Sequence, residues 1–125
     1  MSTTLFRITG VGLFFLCIFL SGFWLSHSGK PYSSMILNIH KLIALAAVVF
    51  LVITVYRINQ TAKLSPTEFI ASVVTGLLFL VTIISGGLAS LPRTMPTALL
   101  ILHHLLPYFT VLSTAVTLYL LVSGK

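Results

Sequence analysis

The sequence predicts an all-α integral membrane protein, an up-down four-helix bundle made of two repeated helical hairpins. Three observations predict it. Of 125 residues, 58% are hydrophobic and 6% are charged, with a mean hydropathy of +1.14. A soluble domain carries about 25% charged and about 45–50% apolar residues, so too little polar surface is left here to cover a water-soluble globule. The apolar residues gather in four stretches, each long enough to supply the roughly 20 helical residues that cross a bilayer. The second half of the chain also repeats the first. The same composition excludes disorder. The net charge of +6 comes from seven Lys and Arg residues scattered between apolar runs. They make no basic face for nucleic acid and are better explained by membrane orientation. A single cysteine, Cys17, excludes a disulfide framework, a CxxC metal site and a CxxCH haem attachment.

The spans are expected at about residues 5–26, 34–56, 67–91 and 97–122. Ser28-Gly29-Lys30-Pro31 ends the first, because glycine and proline interrupt a helix. The polar run from Arg57 to Leu64 separates the second and third, and Leu91-Pro92-Arg93-Thr94-Met95-Pro96 separates the third and fourth. Ser65-Pro66-Thr67-Glu68 opens the third as a capping box with proline at its first position. Glu68 is the only acid in the chain. Short connections make neighbouring helices antiparallel. Arg7, Arg57, Lys63 and Lys125 fall on one side, and Lys30, Arg93 and nearby Lys41 on the other. This bias puts both termini in the cytoplasm, in what is expected to be a bacterial or archaeal cytoplasmic membrane. The N-terminal apolar run is too long for a signal peptide and no small-x-small cleavage site follows it, so it is expected to be retained. The chain reads as a single transmembrane domain with repeat halves 1–62 and 63–125.

The repeat is visible residue by residue. Residues 12–26, Gly-Leu-Phe-Phe-Leu-Cys-Ile-Phe-Leu-Ser-Gly-Phe-Trp-Leu-Ser, align without gaps on residues 76–90, Gly-Leu-Leu-Phe-Leu-Val-Thr-Ile-Ile-Ser-Gly-Gly-Leu-Ala-Ser, and seven of the fifteen positions are identical. The second span aligns on the fourth with an offset of 63. Leu37, His40, Leu42, Val48, Thr54 and Tyr56 fall on Leu100, His103, Leu105, Val111, Thr117 and Tyr119. Apolar composition alone produces chance Leu and Phe matches, but not readily Ser-Gly, His, Thr and Tyr in register. Both hairpins start on the same side, so the repeat is parallel, with its pseudo-two-fold axis along the membrane normal.

That symmetry sets His40 and His103 at one depth, about two turns or roughly 10 Å into helices that descend from the outer connection. Ionisable groups inside a bilayer are costly and mark function. Steps of four, three, four and three from His40 reach Ala44, Ala47, Leu51 and Thr54. The same steps from His103 reach Pro107, Thr110, Thr114 and Thr117. Small and hydroxylated residues suit a bundle interior, so both histidines are expected to point inward, towards each other. Two readings follow: hydrogen bonds that support packing, or axial ligation of one non-covalent b-type haem. Ser21-Gly22 and Ser85-Gly86-Gly87 lie near the histidine depth, where Gly22 and Gly86 would let a porphyrin edge approach the backbone. His104 lies about 100° around the helix from His103 and aligns with Lys41, at the edge of the site. Lys30, Lys41, Arg93, Tyr32 and His104 are candidates to meet haem propionates, which favour cations and the water interface. His27 reads as an interfacial residue.

Four helices with inward histidines, Ile-His-Lys-Leu-Ile-Ala in the second and Leu-His-His-Leu-Leu-Pro in the fourth, resemble the small membrane cytochromes b. The closest groups are cytochrome b561-like proteins and the cytochrome b subunits that anchor hydrogenases and dehydrogenases. The resemblance implies a bis-histidine haem, here on His40 and His103, that passes electrons between a quinone and a redox partner subunit. The sequence departs from two-haem relatives, which place a second histidine pair near the other face. One haem near the outer face would exchange electrons with a partner on that face, with quinone, or with neighbouring subunits, including further copies of the chain.

The competing expectation is a cofactor-free structural or assembly subunit of a larger membrane complex. A small proton-coupled transporter is disfavoured because the only acid sits at a helix start. A copper site on His40, His103 and His104 lacks a supporting carboxylate or thiolate cluster. With no aspartate, no acid near a serine–histidine pair and no glycine-rich phosphate loop, nothing supports hydrolysis or phosphate chemistry. The chain reads as an electron carrier or redox subunit rather than a stand-alone enzyme, with the chemistry belonging mostly to the cofactor.

Overall fold

A computed structural model describes residues 3–28, 34–91 and 96–123. The protein is all-α, with four long apolar helices and no strand among the described residues. They are α1 (Thr3–Ser28), α2 (Ser34–Thr61), α3 (Pro66–Ala89) and α4 (Thr97–Ser123), an inventory compatible with a four-helix bundle. With 24 to 28 residues, each helix is about 36–42 Å long at 1.5 Å per residue. A hydrocarbon core of about 30 Å is therefore within reach of all four.

The helix ends follow local chemistry. α2 continues to Thr61, five residues past the expected end at residue 56. Arg57-Ile58-Asn59-Gln60-Thr61 is polar apart from buried Ile58 and contains neither glycine nor proline, and polarity alone does not stop a helix. The end comes where Thr61 Oγ1 donates to the Ile58 carbonyl at 3.0 Å and Asn59 Oδ1 accepts from the Leu64 N–H at 3.2 Å. α3 begins as expected. Ser65 is its N-cap, Pro66 follows, and Ser65 Oγ accepts from the Glu68 N–H at 3.2 Å. Glu68 itself is buried. α3 ends at Ala89, two residues short of expectation, where the Ser90 N–H donates to the Gly86 carbonyl at 3.0 Å. Pro107 lies inside α4, one turn beyond His103.

The chain forms two compact units, residues 1–52 and 53–125, with the boundary inside α2. In the first, Ser21 meets His40 and Gly10 meets Phe50, so α1 and α2 run antiparallel. The Phe50 ring lies over Gly10, with Phe6 and Phe14 at ring-centroid distances of 6.2 and 5.5 Å. In the second, α3 and α4 pack antiparallel along their length through a ladder of hydroxyls. Thr75 Oγ1 is 2.6 Å from Ser113 Oγ and 2.9 Å from Thr117 Oγ1, and Thr117 Oγ1 donates to the Ala71 carbonyl at 3.1 Å. Thr82 Oγ1 is 3.2 Å from Thr110 Oγ1.

The polarity of this architecture is reversed relative to a soluble protein. Thr54, Thr75, Ser85, Thr110, Thr114 and Thr117 are buried, whereas Leu13, Leu20, Leu42, Val52, Phe69 and Leu112 are exposed. Thr110 is 1% exposed, and Leu112, two residues further on, is 63% exposed. In water that arrangement would be costly. In lipid, apolar side chains lose nothing by facing outward, and packing with hydrogen bonds holds helices together. The structure is thus consistent with a membrane protein on two counts, the length of its helices and the direction its large apolar side chains face.

Candidate functional site

The α2 face that carries His40 also carries half-buried Ala44 and Leu51 and buried Ala47 and Thr54. The α4 face of His103 carries half-buried Pro107 and buried Thr110, Thr114 and Thr117. Both histidines are half-buried, so they lie on the covered sides of their helices.

Each histidine meets the first helix of its own hairpin in the same way. His40 Nδ1 lies 2.8 Å from Ser21 Oγ, and His103 Nδ1 lies 3.0 Å from Ser85 Oγ. His103 Nδ1 also lies 3.1 Å from the Thr82 carbonyl oxygen. The residue equivalent to Thr82 is Ile18, and each of these carbonyls accepts from its own serine, Ile18 from Ser21 Oγ at 3.1 Å and Thr82 from Ser85 Oγ at 2.9 Å. The glycine after each serine makes room for the ring. A Cβ placed on Gly22 would stand 3.2 Å from His40 Cε1, and one on Gly86 would stand 2.6 Å from His103 Cε1. Serine, glycine, histidine and backbone carbonyl therefore recur as one constellation, at positions related by the offsets of the sequence repeat.

The remaining expected site residues fall into two groups. His104 and Lys41 are exposed, each one position beyond its histidine, and the His103 and His104 ring centroids are 6.4 Å apart. His27 is exposed near the end of α1, beside Trp24. Lys30, Tyr32 and Arg93 lie outside the described residues. What fills the notches at Gly22 and Gly86 is the imidazole itself. Sequence reasoning paired those glycines with the histidines by depth, but assigned no partner to the hydroxyls of Ser21 and Ser85. The signal that could have found them was the Ser-Gly dipeptide matched in both halves.

The donor chemistry can be tested against haem. Among the described residues no three His, Cys, Asp or Glu side chains come together, so an ion held by three or four protein ligands has no cage there. A porphyrin brings four nitrogens of its own and asks the protein for two axial donors. Each hairpin offers one imidazole anchored through Nδ1, the type of donor that such a group takes.

Four apolar helices long enough to cross a membrane, with hydroxyls and imidazoles on their covered faces, define an all-α protein of membrane character. No protein-family model, curated protein or solved structure matches the chain. The likeness to membrane cytochromes b rests on the residues quoted above alone.

Proposed function

We propose that the chain is a membrane electron-transfer protein that holds one b-type haem through His40 and His103, near the outer face of a bacterial or archaeal cytoplasmic membrane, with both termini in the cytoplasm. The observation that carries this reading is the duplicated constellation: two imidazoles, each anchored through Nδ1 to a serine of the preceding helix. A haem of this kind takes two imidazole donors, and each half of the chain supplies one. When bound, the haem supplies a one-electron iron couple. The chain's own residues hold and orient it. His40 and His103 would hold its iron, with the serines fixing ring orientation. Lys41, with Lys30 and Arg93, would supply positive charge for the propionates, and His104 a ring N–H. The outward Leu, Ile, Val and Phe side chains keep the surrounding medium apolar. The electron partner is a quinone or a redox subunit, and further copies of the chain are candidate neighbours.

A second reading is favoured by a different observation. Each imidazole fits a glycine notch within its own hairpin, as it would in a cofactor-free structural or assembly subunit. Absorption spectra of the purified full-length protein, oxidised and dithionite-reduced, separate the two. The haem reading expects a Soret band that shifts on reduction and is lost in both His40→Ala and His103→Ala. A colourless protein from haem-replete cells, with histidine variants that change only stability, supports the structural reading. Retention of the band in both variants would move ligation to His104 or His27.

A further inference from the structure

The hydroxyls of Ser21 and Ser85 bear on which nitrogen each histidine offers. Ser85 Oγ donates to the Thr82 carbonyl oxygen at 2.9 Å and lies 3.0 Å from His103 Nδ1, which is itself 3.1 Å from that same carbonyl oxygen. A carbonyl only accepts, and a serine hydroxyl has one proton to give. With a bare Nδ1, its lone pair would face the carbonyl lone pairs, and the hydroxyl could satisfy only one of two acceptors. With a proton on Nδ1, the hydroxyl donates to the carbonyl and Nδ1–H donates to Oγ and the carbonyl, so every proton has an acceptor. The first hairpin admits the same arrangement. Ser21 Oγ shares its one proton between the Cys17 carbonyl at 2.8 Å and the Ile18 carbonyl at 3.1 Å, which leaves an Oγ lone pair for His40 Nδ1–H at 2.8 Å. In a neutral ring protonated at Nδ1, the lone pair resides on Nε2.

We infer that Ser21 at His40, and Ser85 together with the Thr82 carbonyl at His103, hold the rings in the Nδ1–H tautomer, so that both present Nε2 as the ligating nitrogen. The purpose of this arrangement rests on the haem reading; the tautomer is a property of the chain alone. It also gives the Ser-Gly pair of each half a joint role. Glycine admits the ring, and serine sets its protons.

The test uses the full-length chain, without haem, in lipid nanodiscs with 15N- and 13C-labelled histidine, read by NMR. His40 and His103 are assigned by the loss of their signals in the alanine variants. Both rings are expected to be neutral, with a protonated Nδ1 and a bare Nε2. Removing a hydrogen bond of ordinary net strength shifts a two-state ratio about fivefold. Ser21→Ala should therefore move the His40 tautomer ratio about fivefold towards Nε2–H and leave His103 unchanged, and Ser21→Thr, which keeps the hydroxyl, should restore the wild-type pattern. Ser85→Ala leaves the Thr82 carbonyl to accept from Nδ1–H, so His103 should stay in the Nδ1–H form. Should the buried Ser85 variant not fold, Ser21, which is less buried, still decides the matter. Wild-type rings resting mainly as Nε2–H overturn the inference, as does a Ser21→Ala variant that leaves the His40 ratio unchanged or a Ser85→Ala variant in which His103 turns to Nε2–H. Titration with ferric haem is read separately. The expected tautomers without a bis-imidazole spectrum leave the serine role standing and remove the haem reading.

Discussion

Replacing Gly86 with alanine tests how tightly His103 is held. The added Cβ would stand 2.6 Å from His103 Cε1, 3.1 Å from Nε2 and 3.3 Å from Nδ1, where carbon contacts normally settle at about 3.5–4.0 Å. The ring must move by roughly the difference, about 1 Å. It cannot do so without stretching its bonds to Ser85 Oγ and the Thr82 carbonyl. Overpacking of this kind costs about 1–3 kcal/mol, and a weakened hydrogen bond about 1 kcal/mol more. The helix propensity of alanine over glycine returns up to about 1 kcal/mol. Gly86→Ala should therefore lose about 1–3 kcal/mol in reversible SDS unfolding of the full chain from mixed micelles, followed by helicity. Gly22→Ala meets His40 Cε1 at 3.2 Å, which a shift of a few tenths of an ångström relieves, so its change should stay within about 1 kcal/mol of zero. Gly87→Ala, one residue away, enters open space, as do Gly12→Ala and Gly76→Ala; these should be neutral or slightly stabilising. If Gly86→Ala unfolds at the same SDS fraction as Gly87→Ala, the imidazole does not occupy that notch and the site geometry is wrong.

Two further substitutions probe the rest of the fold. Thr75→Val copies the residue found at the equivalent position of the first half, Val11, and removes the bonds to Ser113 and Thr117. At about 0.6 kcal/mol per interhelical bond in membranes, it should cost about 1 kcal/mol in the same unfolding measurement, and an unchanged midpoint would refute the hydroxyl ladder. Ser65→Ala removes the acceptor for the Glu68 N–H and should cost about 1 kcal/mol, with faster amide exchange confined to the first turn of α3; protection unchanged there would argue against the cap.

Helix type and number were legible because 20-residue apolar runs admit few alternatives, and the start of α3 was legible because Ser65-Pro66-Thr67-Glu68 spells its own geometry. The end of α2 was not, since Arg57 to Thr61 contain no breaker and include buried Ile58. The covered faces of α2 and α4 could be read from small and hydroxylated residues at helical spacing. Their partners on the preceding helix could not, because Thr75, Thr82 and Ser85 acquire meaning only from the antiparallel register. The same holds for Ser21. A serine in an apolar helix can satisfy itself on the carbonyl of its preceding turn, as Ser21 does at Cys17 and Ile18, and nothing in one dimension says that its lone pair faces an imidazole.

The proline inside α4 has a mechanical consequence. Pro107 has no N–H to offer the carbonyl four residues earlier, which belongs to His103, so the turn that carries this histidine lacks one rung of the helical ladder. The equivalent residue in α2 is Ala44, and there the rung is available. The two arms of the duplicated hairpin thus differ in stiffness at the very turn where they look most alike: the His40 arm is a rigid strut, while the His103 arm bends at lower cost. Bending at the turn that carries the histidine should accordingly come more easily to α4 than to α2.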